Sequence, residues 1–398
     1  MSSIYRSVAI EDFCFTGSGG TPSRANASFY QGHIPWVKSG ELRECVILKT
    51  EENITEEAIN ESSAKMVPSG AILMAMYGAT VGRLALLGID AATNQAICNI
   101  RPDRNVADTG FVYRALEAKV PELISKAAGG AQPNISQDTI RKTRVFLPPL
   151  DEQKRIAAIL DKADALRRQR RQALALLDSL TQSIFLEMFG DLIENAKSFP
   201  AGRISDWVAD FETGKNLAPD RDNSEPLSNR VLKVSAVTSG RFNPEESKPL
   251  PMKYVVPSHH FVRFGDLLFS RANTSELIGA TALVSQQCER LVLPDKIWRF
   301  IWKGENPPNP VFIHGLFSSA PFRAALSKRA TGTSGSMKNI SKKKVLGIAC
   351  GIPTRGLQDE FAHKVNKLGQ ARDFCEQQLS AIETGFASLQ HRAFSGQL

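Results

Sequence analysis

LDEQKRIAAILDKADALRRQRRQALALLDSLTQSIFLEMFG, residues Leu150 to Gly190, is the stretch on which the organisation of this chain turns. Pro148-Pro149 precede it; proline disfavours a helix at the residue before it, whereas Asp151 and Glu152 favour a helix start through the macrodipole. No glycine or proline then interrupts until Gly190. Written in sevens, the stretch puts Ile156, Ala163, Arg170, Leu177 and Ile184 at one seam position and Ile159, Leu166, Ala173 and Leu180 at the other. That is the heptad of a helix that packs along a helix. About 38 residues at about 1.5 Å each make a rod of roughly 57 Å, longer than one globule needs for its own packing. Arg167, Arg168, Arg170 and Arg171 are the candidates for a subunit contact; Arg170 also lies on the seam, as a break in pairing or a reach to an acidic partner.

The same plan occurs twice. A shift of 205 places, without a gap, lays Asn134-Ile135-Ser136 on Asn339-Ile340-Ser341, Pro148 on Pro353, Gln153 on Gln358, Leu174 on Leu379 and Phe189 on Phe394. Upstream the echoes need small insertions: Gly70-Ala71-Ile72-Leu73 matches Gly265-Asp266-Leu267-Leu268, and Gly82 matches Gly279. A period near 200 is far too long for a solenoid, so this is a duplicated domain with its connector. The second rod, Leu357 to Phe394, keeps Phe361, Leu368, Cys375, Ile382 and Leu389 at one position with Val365, Leu379 and Phe386 beside it, although Gly369 and Gly385 weaken it as a lone helix. Two matching seams on one chain most simply bury each other as an antiparallel pair; a hairpin dimerising with a second subunit is the alternative.

Working outward, residues 1–150 and 199–354 are rich in glycine, proline and short apolar runs, which read as mixed α/β globules. With the rods at 151–198 and 355–398, the expected class is α+β: two mixed domains separated by two long antiparallel helices, a coiled-coil-like spacer with an internal pseudo-twofold repeat. The apolar window Ala71 to Ile89 holds Arg83 and three glycines, so two strands around a glycine turn fit better than a membrane span. The first residues lack a basic stretch followed by an apolar core, which leads us to expect a cytoplasmic protein. The six cysteines include no C-x-x-C pair, and His259-His260 lacks a second cluster at zinc spacing, so no metal site is expected.

Net charge is +8. Residues 1–150 balance 15 basic with 15 acidic side chains and 151–198 balance 8 with 8, so the excess lies entirely beyond residue 198. It is densest from Lys328 to Lys344, where six cations meet no acid, as a polyanion contact or a solvated loop would have it. Two fragments suggest methyl transfer: Phe15-Thr16-Gly17-Ser18-Gly19 has the letters of an S-adenosylmethionine loop, and Asn306-Pro307-Pro308-Asn309 approaches the N-P-P-aromatic motif. The first runs into Gly20-Thr21-Pro22-Ser23 and not into a helix, and Asn309 replaces the ring that would stack on a flipped base. No phosphate loop and no nucleophile elbow accompanies them. The chain is expected not to be an enzyme.

Gly19-Gly20-Thr21-Pro22-Ser23, Gly32-His33-Ile34-Pro35-Trp36-Val37, Thr93-Asn94-Gln95-Ala96-Ile97, Asn134-Ile135-Ser136 and Leu147-Pro148-Pro149-Leu150 with Glu152-Gln153 together resemble the specificity subunit of type I restriction-modification systems. The resemblance covers essentially the full chain, twice over. The second copy departs where Thr354 replaces Pro149 and Leu357 replaces Glu152, which weakens its helix start, and where Asp295-Lys296-Ile297-Trp298 stands for Asn94 to Ile97. The resemblance implies two target recognition domains, each reading half of a split site in double-stranded DNA, with the helical spacers setting the gap. It implies partners as well: two copies of a DNA adenine methyltransferase subunit, which would bind S-adenosylmethionine, and a restriction/translocase subunit. No cofactor is implied for this chain and no membrane. Base reading needs guanidinium, amide and hydroxyl groups on exposed loops. Candidates in the first domain are Arg24, Lys38, Ser39, Arg43, Tyr77, Arg83, Gln132 and Asn134; in the second, Lys233, Ser235, Arg271, Asn273, Ser336, Lys338 and Asn339. Asn134 and Asn339 could instead cap a turn or helix, and Arg83 and Arg271 could be ordinary surface charges. A methyltransferase with its own site and a protein-assembly scaffold remain as alternatives.

Overall fold

The repeat is realised first of all in two helices of equal length, Leu150–Phe189 and Arg355–Phe394, 40 residues each and 205 positions apart. Losing Pro149 and Glu152 in the second copy does not shorten its helix. The computed structural model describes residues 6–43, 46–127, 134–216, 229–251, 254–332, 337–395 and 397. One unit takes Met1–Arg171 with Gln377–Leu398 and the other takes Gln172–Glu376, so each contains a globule and one half of both long helices.

In the first unit the strands are β1 (Ser7–Ala9), β2 (Cys14–Ser18), β3 (Ile34–Val37), β4 (Val46–Ile47), β5 (Glu52–Ile54), β6 (Met66–Val67), β7 (Ile72–Ala75), β8 (Leu84–Leu87), β9 (Ala91–Thr93), β10 (Ile97–Pro102) and β11 (Arg144–Phe146). They form sheets of order β2-β10-β7-β8-β4, β5-β3-β9-β6 and β1-β11. Helices α1 (Glu56–Asn60), α2 (Thr109–Ser125), α3 (Gln137–Arg141) and the long α4 (Leu150–Phe189) complete it. β7 and β8 are the two buried strands expected within Ala71 to Ile89 and pair antiparallel. Gly82 turns between them at φ +80°, a conformation that favours glycine, and its N–H donates to the Ala75 carbonyl at 2.8 Å.

The second unit repeats this frame. Its strands are β12 (Ala201–Arg203), β13 (Val208–Thr213), β14 (Arg230–Leu232), β15 (Ser247–Pro249), β16 (Leu267–Ser270), β17 (Ala272–Asn273), β18 (Thr281–Leu283), β19 (Leu291–Val292), β20 (Ile297–Trp302), β21 (Lys338–Asn339) and β22 (Ala349–Gly351). The sheets run β13-β20-β16-β18, β15-β14-β19, β12-β22 and β17-β21. Helices are α5 (Ser235–Thr238), α6 (Pro310–Ser318), α7 (Ala320–Arg329), α8 (Lys342–Leu346) and the long α9 (Arg355–Phe394). Gly279 holds the place of Gly82 at φ +80°, its N–H donating to Ser270 at 2.8 Å.

The two long helices bury their seams against each other, antiparallel, in each unit. In the first, Ile156, Ala157 and Leu160 share a core with Phe386 and Ala393, the Arg167 guanidinium lies 4.2 Å from the Phe386 ring centre, and Arg171 pairs with Glu383 at 2.6 Å. In the second, Phe185 and Phe189 pack on Phe361, and Asp178 pairs with Arg372. The seam of α9 is as the sequence has it, with Val365, Leu379 and Phe386 in its second row. The second row of α4 needs correcting: it is Leu160, Arg167, Leu174, Thr181 and Met188, one residue later than the heptad suggested, while Leu166 and Leu180 are 49% and 43% exposed. The apolar letters at 166 and 180 were misleading. Arg167 and Thr181 occupy seam places because an arginine stem can pack while its head stays paired, here to Asp164 at 3.3 Å. Among the described residues, no helix is long and apolar enough to cross a membrane.

Candidate nucleic-acid interface

The Asn-Ile-Ser segment of each copy forms the same short edge. In the first unit Tyr77 and Asn134 make an antiparallel bridge, and the Ile135 N–H donates to the Met76 carbonyl at 2.7 Å. In the second, Ala272 pairs with Asn339 and Asn273 with Lys338 as β17 and β21, and the Ile340 N–H donates to the Arg271 carbonyl at 3.1 Å. Neither asparagine caps a helix. The serine two residues on holds that place in both copies: Ser136 accepts from the Thr139 N–H at 3.0 Å ahead of α3, and Ser341 precedes α8. Ile135 and Ile340 anchor the segments in their cores, leaving Asn134 exposed.

The structure thus brings together Tyr77 with Asn134, and Arg271 with Asn273, Lys338 and Asn339. Arg271 is also drawn back, donating through Nε to the Asp295 carbonyl at 2.8 Å with its head 3.7 Å from the Asp295 carboxylate. Arg83 is exposed at the β7–β8 turn. Arg24 and Lys38 meet at Glu52, at 2.7 and 2.9 Å, and Lys38 also reaches Glu51 at 2.9 Å. The Arg24 guanidinium stacks 4.0 Å over Tyr30. Hydrogen bonds from Arg24 and then Lys38 hold the Glu52 carboxyl below its usual range. Ser39 is half-buried and opens the short turn that Glu41 closes onto the Lys38 N–H at 2.9 Å. Arg43 is placed elsewhere, lining a cleft of about 470 Å³ with Glu117, Asp164, Arg167, Arg168 and Arg171. Lys233 and Ser235 converge on Glu246, at 3.5 and 2.6 Å. Gln132 and Ser336 lie outside the described residues. In the basic block, Lys342 pairs with Asp210 at 3.1 Å and Lys344 closes the end of α7 on the Arg329 carbonyl at 2.8 Å, so part of it is structural.

Chemically, the first edge offers an amide and a phenol and the second adds cations to its amides, groups suited to base edges and phosphates. What joins each edge-bearing globule to its rod is a buried glutamine. Gln153, fully buried, donates to the carbonyls of Pro148 and Val106 at 2.8 and 3.0 Å and accepts from the Asp108 N–H at 2.8 Å. Gln358 donates to Pro353 at 2.9 Å and accepts from the Asn309 N–H at 2.9 Å. Asp108 and Asn309 are the N-caps of α2 and α6, so in each unit one side chain rivets the long helix to a second helix.

Comparison with known proteins agrees with this arrangement. Residues 4–176 match the family model described as the type I restriction modification DNA specificity domain. The MjaVIII specificity subunit of Methanocaldococcus jannaschii is 24% identical over 409 residues, covering 98% of this chain and 92% of that one. The family model covers the first globule and much of α4, and the likeness of the rest of the chain rests on relatives such as this one. The EcoR124I/EcoR124II specificity subunit of Escherichia coli is 28% identical over 181 residues, a match spanning 44% of each protein, and that to the MjaIX subunit of M. jannaschii spans 53% of the relative; the chain spans about half the length of these curated relatives. The crystal structure of the type I system S subunit from M. genitalium shares the fold, with a TM-score of 0.59 at 14% identity over 98% of this chain and 96% of that one.

Within a specificity-subunit fold the two methyl-transfer look-alikes have structural duties. Phe15 to Ser18 lie in β2, hydrogen-bonded along β10, and Gly19 continues without a helix. Asn309 caps α6, its Oδ1 accepting from the Val311 N–H at 3.0 Å and its Nδ2 donating to Asp359 at 2.7 Å. Sequence reasoning aligned Gln153 with Gln358 but gave them no role. Their sharing a repeat position at a helix start was the available signal. It also missed Glu52, Glu246 and Asp295, the carboxylates that hold the candidate cations, because nothing in the spacing ties them together.

Proposed function

We propose that this chain is the non-catalytic DNA-recognition subunit of a type I restriction-modification complex. Domains 1–150 and 199–354 each read one half of a bipartite target, while the spacers 151–198 and 355–398 set the gap and dock two DNA adenine methyltransferase subunits. The observation that carries this reading is the repeated unit itself: an Asn-Ile edge on a globule that one buried glutamine rivets to a 40-residue rod. S-adenosylmethionine belongs to the methyltransferase partner, and a restriction/translocase subunit joins for cleavage, in the cytoplasm. The base-reading groups are drawn from Arg24, Lys38, Ser39, Tyr77, Arg83 and Asn134 in the first domain and from Lys233, Ser235, Arg271, Asn273, Lys338 and Asn339 in the second. Arg43, Gln132 and Ser336 complete the set.

Co-expression with an adenine methyltransferase subunit and genome-wide mapping of modified adenines tests this directly. Two short motifs at constant separation are expected, and the isolated chain should transfer no methyl group from labelled S-adenosylmethionine; transfer by the chain alone would overturn the reading. Inserting one heptad into both rods keeps the seams matched and adds about 10 Å, which should lengthen the gap by about three base pairs.

A further inference from the structure

The second unit also gathers three metal-ligand side chains that the sequence keeps apart. Glu212 lies on β13, and His259 and His260 end the short turn Ser258–His260. One ligand atom from each falls within 4.8 Å of the other two. Two imidazoles and one carboxylate suit late first-row divalent ions and discriminate against Mg²⁺ and Ca²⁺, which take oxygen ligands. We propose that Glu212, His259 and His260 bind one Zn²⁺, with water completing the tetrahedron.

Further observations support the site. His260 is 7% exposed, and its Nδ1 has no hydrogen-bond partner among the described residues, an unusual state for a buried ring nitrogen. The frame is also held in place: the His260 N–H donates to Pro257 and its carbonyl accepts from Leu293, both at 2.9 Å, while Glu212 lies in register with Arg299 on β20. Arg299 fastens the turn to the sheet by donating to the carbonyls of His259 and Phe261 at 2.7 and 3.0 Å, and its charge is matched by Asp266 at 3.2 Å. Lys215, whose ammonium lies 5.9 Å from the Tyr254 ring centre, opposes a cation here, and direct coordination has to outweigh it. His259 is exposed, giving the ion a path from solvent. Bound zinc would clip the β13 end of the main sheet to the 258–260 turn.

The test is a titration of the untagged, chelator-stripped full chain with Co²⁺ and Zn²⁺. One equivalent of Co²⁺ should bind with the visible absorption of a tetrahedral site, be displaced by Zn²⁺ and resist Mg²⁺. Glu212→Gln and His259→Gln should each weaken binding at least about tenfold and remove the rise in Tm that zinc gives the parent. X-ray absorption of the zinc-loaded parent gives a readout independent of either variant's folding and should show nitrogen and oxygen neighbours only. No saturable binding, full binding in both variants, or a sulfur shell overturns the proposal.

Discussion

The joint between globule and rod is built twice, with two glutamine hydrogen bonds in common and opposite fillings. In the first unit Arg114, 4% exposed on α2, reaches Asp161 at 2.8 Å and Asp164 at 3.1 Å on α4 and Glu117 at 3.0 Å. At the repeat-related positions the second unit has Gly315, Asn366 and Gly369. The ion network has disappeared as a set. In its place Phe185 and Phe361 close in, and a Cβ built on Gly315 would stand 2.9 Å from atoms of both rings. Phe189 meets Phe312 and Phe361 edge-on in the same cluster. Duplication therefore preserved the backbone path and the glutamine rivet, which satisfy groups that every copy of the joint must bury. The volume between them was free to be filled by charge or by rings, provided each choice was made consistently.

The sharpest way to break the comparison is to cross the two solutions. Arg114→Leu takes the guanidinium from Asp161 and from Glu117, which burial already pushes toward the neutral form, while Asp164 keeps Arg167 and Arg168, and should destabilise the first unit by about 3 kcal/mol. Hydrogen exchange followed by mass spectrometry should find the loss there and not in residues 172–376. Removing the rivets comes next. Gln153→Leu leaves a helix-cap N–H and two carbonyls without partners, and Gln358→Leu a helix-cap N–H and one carbonyl, a loss of about 2 to 3 kcal/mol each. The first should be the larger, because Gln153 makes three hydrogen bonds and Gln358 two; equal losses in calorimetry would contradict the inequality. Gly315→Ala forces the rings of Phe185 and Phe361 to give way, at about 1 to 3 kcal/mol.

Acid should separate the units more gently. His314, where the first unit has Tyr113, is half-buried on α6 with its Nδ1 2.9 Å from the Thr281 hydroxyl, and desolvation takes its pKa from the usual 6.5 down to about 4. The unfolded chain takes up a proton near pH 6.5 that the folded unit refuses until about pH 4, so this contribution to stability is full above pH 6.5 and fades as pH falls through that window. The Tm of the second unit should drop faster than that of the first between pH 7 and 5, and His314→Gln should flatten the difference.

Much of this was legible in the letters. A gap-free shift of 205 reproduces helix ends to the residue, because an uninterrupted 40-residue rod tolerates no insertion without losing its seam. Upstream, the offset is 195 from β7 to β16, 200 from β10 to β20 and 201 from Phe111 to Phe312, since loops absorb insertions that a rod cannot. The second row of α4 was misread because Leu166 and Leu180 are more apolar than Arg167 and Thr181, and only the facing helix reveals which row it covers. At the edges, the asparagines were found but their bridges were not, for a two-residue pairing carries too little pattern to be seen.

What the sequence determined by itself is therefore everything that repeats along the chain: the duplication, the rods, their seam on α9 and the paired positions of Gln153 and Gln358. Local periodicity and spacing are properties of a line, and a line can be read. What the tertiary structure alone decided is which distant groups meet. Glu52 holds Arg24 and Lys38, Asp295 draws back Arg271, Gly315 admits two phenylalanines, and Glu212 arrives beside His259 and His260. Such meetings depend on strand register and loop path, which charge and hydrophobicity along one chain leave open.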